Sequence, residues 1–77
     1  MDEIKYNLGI QPISELLVKH QLSHHDLVAI STEQITHKMV SHACKGRKLS
    51  RRVQLKIRNA LNIATEQSYQ LSDLFTY

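Results

Sequence analysis

Apolar residues recur along most of this 77-residue chain with the period of a helix. The clearest run is Val53, Ile57, Ala60, Leu61 and Ala64, at i, i+4, i+7, i+8 and i+11, a single stripe set to face a core. Leu55 lies almost opposite that stripe and Ile63 to one side, and Ser50 is a suitable cap, so a helix is predicted from about Arg51 to Ala64. Upstream, Ile13, Leu16, Leu17 and His20 share a face in a segment opened by Pro12, whose missing N–H would be unsatisfied at the first helical position anyway. That segment is predicted helical to about Gln21. Ser23, with Asp26 three residues on, reads as a shortened capping box for a helix containing Leu27, Val28 and Ile30. The acid also suits the positive end of the helix dipole. This helix is expected to end near Ser31, before a polar turn of Thr32, Glu33 and Gln34. Thr36 caps a further helix that runs to Lys45 and stops at Gly46, the residue type expected at a left-handed C-terminal cap. A last turn over 71–75 is expected to be capped by Ser72. The layout is four helices and a small fifth, joined by short loops.

The segment from Thr36 to Lys45 divides most cleanly. At about 100° per residue, His37, Lys38, Ser41, His42 and Lys45 fall within an arc of roughly 140°. Met39, Val40, Ala43 and Cys44 occupy the other side. Such a helix buries one face and presents another that is rich in donors and free of acid. Lys donates to guanine O6 and N7, Ser donates or accepts, and His does either according to its protonation. An ordinary surface helix usually mixes Glu with Lys, and this one has no Glu.

Charge sharpens the picture. Residues 1–34 hold two lysines against five acids, a net −3; residues 35–77 hold eight Lys and Arg against two acids, a net +6. All eight lie between Lys38 and Arg58, a stretch without an acid. Segregation of this kind is a footprint for a polyanion. Arg51 and Arg52 stand at a helix start, where positive charge opposes the dipole, and an anionic partner accounts for them better than solvation does.

Composition excludes several classes. Two Gly, one Pro and 42% apolar residues suit a small helical domain. Cys44 is the only cysteine, so no intrachain disulfide is available, and its place on the apolar side of its helix makes it a small core thiol. His20 and His24 have the four-residue spacing of a zinc pair, but the helix is expected to break at Leu22-Ser23 between them, and no metal or other cofactor is expected. With no glycine loop, paired carboxylates or triad, no enzymatic activity is expected. Met1-Asp2-Glu3 is not the start of a signal peptide, and no apolar run approaches the roughly 20 residues that span a bilayer. The expected location is cytoplasmic, at the nucleoid.

Two stretches carry a family resemblance: Leu22-Ser23-His24-His25-Asp26-Leu27, and Ile35-Thr36-His37-Lys38-Met39-Val40-Ser41-His42-Ala43-Cys44-Lys45-Gly46-Arg47. With Leu49-Ser50, Leu55-Lys56-Ile57, Ala60-Leu61 and Leu74-Phe75 downstream, the chain resembles the phage Cro/repressor-like (XRE) helix-turn-helix family over about residues 12–75. The chain departs from the family pattern in two places. Its turn is one residue longer and lacks the usual glycine, and Val28 stands where a small alanine is usual.

The resemblance implies an all-α, lambda repressor-like bundle of four to five short helices, a single helix-turn-helix domain over 1–77. It implies sequence-specific binding of double-stranded DNA as a small transcriptional regulator, phage or prokaryotic, with helix 36–45 in the major groove. Carried over position by position, His37, Lys38, Ser41 and His42 are the base-contacting residues. His24, Thr36, Lys45, Arg47, Lys48, Arg51 and Arg52 are the phosphate-contacting ones. Leu55, Leu71, Leu74 and Phe75 either pack within the monomer or form a two-fold patch, and a homodimer is expected at least on DNA. The rival expectation is a protein-interaction module on the same fold, an antitoxin or anti-repressor. Non-specific packaging of DNA or RNA is the third.

Overall fold

The computed structural model describes residues 9–76, and in them the chain forms five α-helices. These are α1 (Pro12–Lys19), α2 (His24–Ile30), α3 (His37–Lys45), α4 (Arg51–Thr65) and α5 (Leu71–Leu74). No strand is present among the described residues beyond an isolated bridge position at Arg47. The all-α expectation therefore holds, with helix boundaries close to those read from the apolar pattern.

Each start has a local cause. Pro12 opens α1 as expected. At α2 the Ser23 hydroxyl accepts from the Asp26 N–H (3.1 Å), and the Asp26 carboxylate accepts from the Ser23 N–H (2.8 Å). Hydrogen bonding from the Ser23 backbone N–H, and second from the Ser23 side chain, holds the Asp26 carboxyl below its ordinary value. Thr36 and Ser50 cap α3 and α4 by accepting from Met39 and Val53 N–H. The final turn departs from expectation: its cap position is Gln70, not Ser72. The Gln70 N–H donates to the Asp73 carboxylate (2.8 Å), which starts the helix at Leu71 and leaves Ser72 inside it.

Helix ends hold a second correction. α1 stops at Lys19, two residues before the expected Gln21, because Gln21 adopts the left-handed conformation (φ 56°). Leu22 N–H then reaches the Leu17 carbonyl (2.8 Å) and Gln21 N–H reaches that of Val18 (3.0 Å), the paired bonds of a Schellman stop. This break separates His20 from His24, as the sequence implies.

The core is one cluster drawn from every helix. Ile13 and Leu17 come from α1, Leu27 from α2, Val40, Ala43 and Cys44 from α3, Ile57, Ala60 and Leu61 from α4, and Leu74 from α5. Ile35 and Phe75 join it from flanking segments. Burying each large aliphatic side chain here contributes about 1.5–3 kcal/mol. α3 packs against α1, α2 and α4, while α5 closes the other side on α1 and α4. The Cα radius of gyration is 11.6 Å, against about 11.5 Å expected for a compact chain of this length.

Candidate nucleic-acid interface

The face of α3 opposite the core is where the charge pattern and the helical pattern converge. Val40, Ala43 and Cys44 are buried, and Met39 is half-buried against the core. His37, Lys38 and Lys45 are exposed, while Ser41 and His42 are half-buried on the same side. The four residues expected to reach bases thus lie on one outward face. That face holds donors and no carboxylate of its own helix.

Around it stand the residues expected to meet phosphate. Thr36 is exposed at the start of α3, its hydroxyl oxygen accepting from Met39 N–H at 3.1 Å. Arg47 and Lys48 are exposed in the connection after α3, and Arg51 and Arg52 are exposed in the first turn of α4. His24 is placed differently. It is half-buried, and its Nε2 lies 3.7 Å from Cys44 Sγ, so that edge of the ring faces α3 and only Nδ1 is left for an anion.

Electrostatics on this face act against protonation. The His42 imidazole titrates below its ordinary 6.5, first because it is partly desolvated and then because Arg47, Lys38 and Lys45 repel an added charge. Cys44 shows the opposite sign for the same solvation reason: burial pushes the thiol up to about 11. Cys44 therefore meets His24 as a protonated thiol, not as an activated thiolate.

The link between α2 and α3 has the departures noted in the sequence, and its geometry explains one of them. Ser31 leaves α2 in an extended conformation (φ −63°, ψ 133°), and no residue of 31–36 has a positive φ. No glycine is needed there. The Ser31 hydroxyl donates to the Glu33 carbonyl (2.6 Å), and Asn59 Nδ2 on α4 donates to the Glu33 carboxylate (3.0 Å). Ile35 is buried in the core beneath the link. The link is thus tied to α4 through Asn59 and to the core through Ile35.

The apolar residues offered as a two-fold patch divide. Leu74 and Phe75 are buried in the monomer core, at 0% and 3% exposure, and are not available to a second chain. Their burial follows from α5 packing on α1 and α4. Leu55 and Leu71 are half-buried.

Several contacts had no signal in the pattern. His25 Nδ1 on α2 lies 3.4 Å from His37 Nε2 on α3, which places a second imidazole at the edge of the candidate face. Gln11 is 1% exposed, and its side chain binds Gly9 and Thr76. A Cβ at Gly46 would run into the Gly9 backbone, so that position needs glycine for space as well as for its φ of 86°. Polar residues buried by distant chain segments leave no periodic trace.

The described residues hold no group of three metal-ligating side chains, and no described helix is long and apolar enough to cross a membrane. Among known proteins, no family model, curated protein or solved structure matches the chain.

Proposed function

We propose that this chain is a sequence-specific double-stranded DNA-binding regulator, a repressor-like domain in which α2, the 31–36 link and α3 act as a helix-turn-helix. The observation that supports it is the outward face of α3: His37, Lys38, Ser41, His42 and Lys45 on one side, with Val40, Ala43 and Cys44 buried behind them. An α-helix with its side chains is about 10–12 Å across and fits the major groove, whose width is about 12 Å. In this reading His37, Lys38, Ser41 and His42 address base edges. Thr36, Lys45, Arg47, Lys48, Arg51 and Arg52 hold the backbone, with His24 Nδ1 a weaker contributor. The protein binds as a homodimer on a palindromic site, through Leu55 and Leu71 rather than Leu74 and Phe75.

Titration of duplex DNA at several salt concentrations tests it. About 4–6 phosphate contacts per domain give a log–log slope near −4 to −5, and a slope close to zero would reject the reading. Lys38→Ala is expected to weaken preferred sites more than random ones, and Arg52→Ala to weaken both alike.

A second reading has one observation in its favour. A hollow of about 320 Å³ between α2 and the end of α4 is lined by Leu22, Asp26, Ala29, Ile30 and Ala64, largely apolar, and Ile30 is 41% exposed. A protein-interaction module of the antitoxin or anti-repressor kind would use such a surface. Tight binding of a protein with a salt slope near zero for DNA would favour it.

A further inference from the structure

His25 is the second residue of α2 and His37 the first of α3, and both rings are exposed. Their facing nitrogens, Nδ1 of His25 and Nε2 of His37, are 3.4 Å apart, with the ring planes inclined at 37°. For an N–H···N hydrogen bond this is long, since protein hydrogen bonds from nitrogen are mostly about 2.7–3.2 Å. For two nitrogens on one metal ion it is the expected separation. At a metal–nitrogen distance of about 2.05 Å, a tetrahedral angle puts the two ligands about 3.35 Å apart. A right-angled octahedral pair would need about 2.9 Å.

We propose that His25 and His37 form a two-nitrogen chelate for a tetrahedral divalent ion of the zinc class. Imidazole is a ligand for Zn²⁺, Co²⁺, Ni²⁺ and Cu²⁺, whereas Mg²⁺ and Ca²⁺ prefer oxygen. Among the described residues no third His, Cys, Asp or Glu joins the pair. Asp26, next to His25, has its carboxylate engaged by the Ser23 N–H. The remaining positions on the ion are therefore filled from solvent or by an incoming ligand. The ion joins the first turn of α2 to the first residue of α3 across the 31–36 link. It thus cross-links the two helices whose relative placement defines the candidate interface, and it binds the folded state in preference to the unfolded chain.

The test uses the full chain without an affinity tag and without nucleic acid, so its outcome is independent of the DNA-binding reading. Zn²⁺ is titrated calorimetrically, and Co²⁺ is followed by the visible absorption that marks tetrahedral coordination. We expect saturable Zn²⁺ binding, a tetrahedral Co²⁺ spectrum, a melting temperature that rises with Zn²⁺, and no response to Mg²⁺. Loss of a ligand is expected to weaken binding at least about tenfold, the smallest effect usual even for outer-shell groups. His25→Ala and His37→Ala are each expected to do this, while His20→Ala, whose ring is bonded to the Tyr69 hydroxyl, leaves binding unchanged. Because both rings are exposed, the first two variants keep the core, which far-UV circular dichroism verifies. Absence of Zn²⁺ binding, or binding that both His25→Ala and His37→Ala leave within twofold of the parent, overturns the proposal.

Discussion

At the scale of single residues, environment decides which reactive side chains are available. Cys44 is 7% exposed and its thiol is pushed up to about 11 by burial, so almost none is thiolate near neutrality. Alkylation by iodoacetamide at pH 8 is expected to be more than about a hundredfold slower in the native protein than in urea. Equal rates in the two conditions would show that the thiol is accessible. His42 carries the complementary prediction. In the free protein its imidazolium is disfavoured by desolvation and by Arg47, Lys38 and Lys45. A DNA phosphate or an acceptor edge reverses that balance and raises the bound-state pKa above the free one. Binding then takes up a proton, so affinity rises as pH falls from the bound-state value to the free-state value below 6.5, and levels off beneath it. His42→Gln is expected to remove that part of the pH dependence, and a profile identical to the parent's would take His42 out of the interface.

At the scale of elements, one stopping device is used three times with different residues. α1, α3 and α4 all end on a left-handed residue, at Gln21 (φ 56°), Gly46 (φ 86°) and Glu66 (φ 56°). In each case the following N–H reaches back to a carbonyl of the last turn, from Leu22, Arg47 and Gln67 respectively. Only Gly46 adopts that conformation without a Cβ penalty, and only there is the space closed, by Gly9. Two substitutions of opposite sign follow. Gln21→Gly is expected to stabilise the domain by up to about 1 kcal/mol, because a left-handed non-glycine residue costs about 1–2 kcal/mol and glycine returns part of that as unfolded-state entropy. Gly46→Ala is expected to destabilise it by at least about 2 kcal/mol, from backbone strain added to overpacking. Urea denaturation of both variants measures the difference, and a neutral Gly46→Ala would mean that the Gly9 contact yields freely.

At the scale of the whole molecule, the two ends of the described chain are joined through a single buried amide. Gln11 N–H donates to the Cys44 carbonyl at the end of α3 (3.0 Å), and its Nε2 donates to the Gly9 carbonyl (3.0 Å). Its Oε1 accepts from both the N–H and the hydroxyl of Thr76 (2.6 and 3.0 Å). Gln11 thus connects the start of α1, the end of the candidate recognition helix and the segment that leaves α5. His20 adds a second long-range tie through the Tyr69 hydroxyl at 2.9 Å. Gln11→Ala leaves the Thr76 N–H without its acceptor and is expected to cost about 1–3 kcal/mol. Urea denaturation measures it, and amide exchange is expected to accelerate at the end of α3 as well as near Thr76. A loss confined to residues around Thr76 would show that Gln11 does not support α3.

The local signals in the sequence determined most of the helical layout. Pro12, Ser23, Thr36, Ser50 and Gly46 act through hydrogen bonds and dihedral angles within a few residues, and the stripe from Val53 to Ala64 needs only the helical period. The division of α3 into a buried and an outward face was legible for the same reason. Tertiary structure alone decided what depends on segments far apart in the chain. It placed Leu74 and Phe75 inside the monomer, turned His24 toward Cys44 and brought His25 to His37. It also let Ser31 leave α2 without a glycine, with Asn59 of α4 holding Glu33 on the link. Each of these is a contact between residues at least ten apart or a backbone exit chosen by packing, and neither leaves a periodic mark on the sequence.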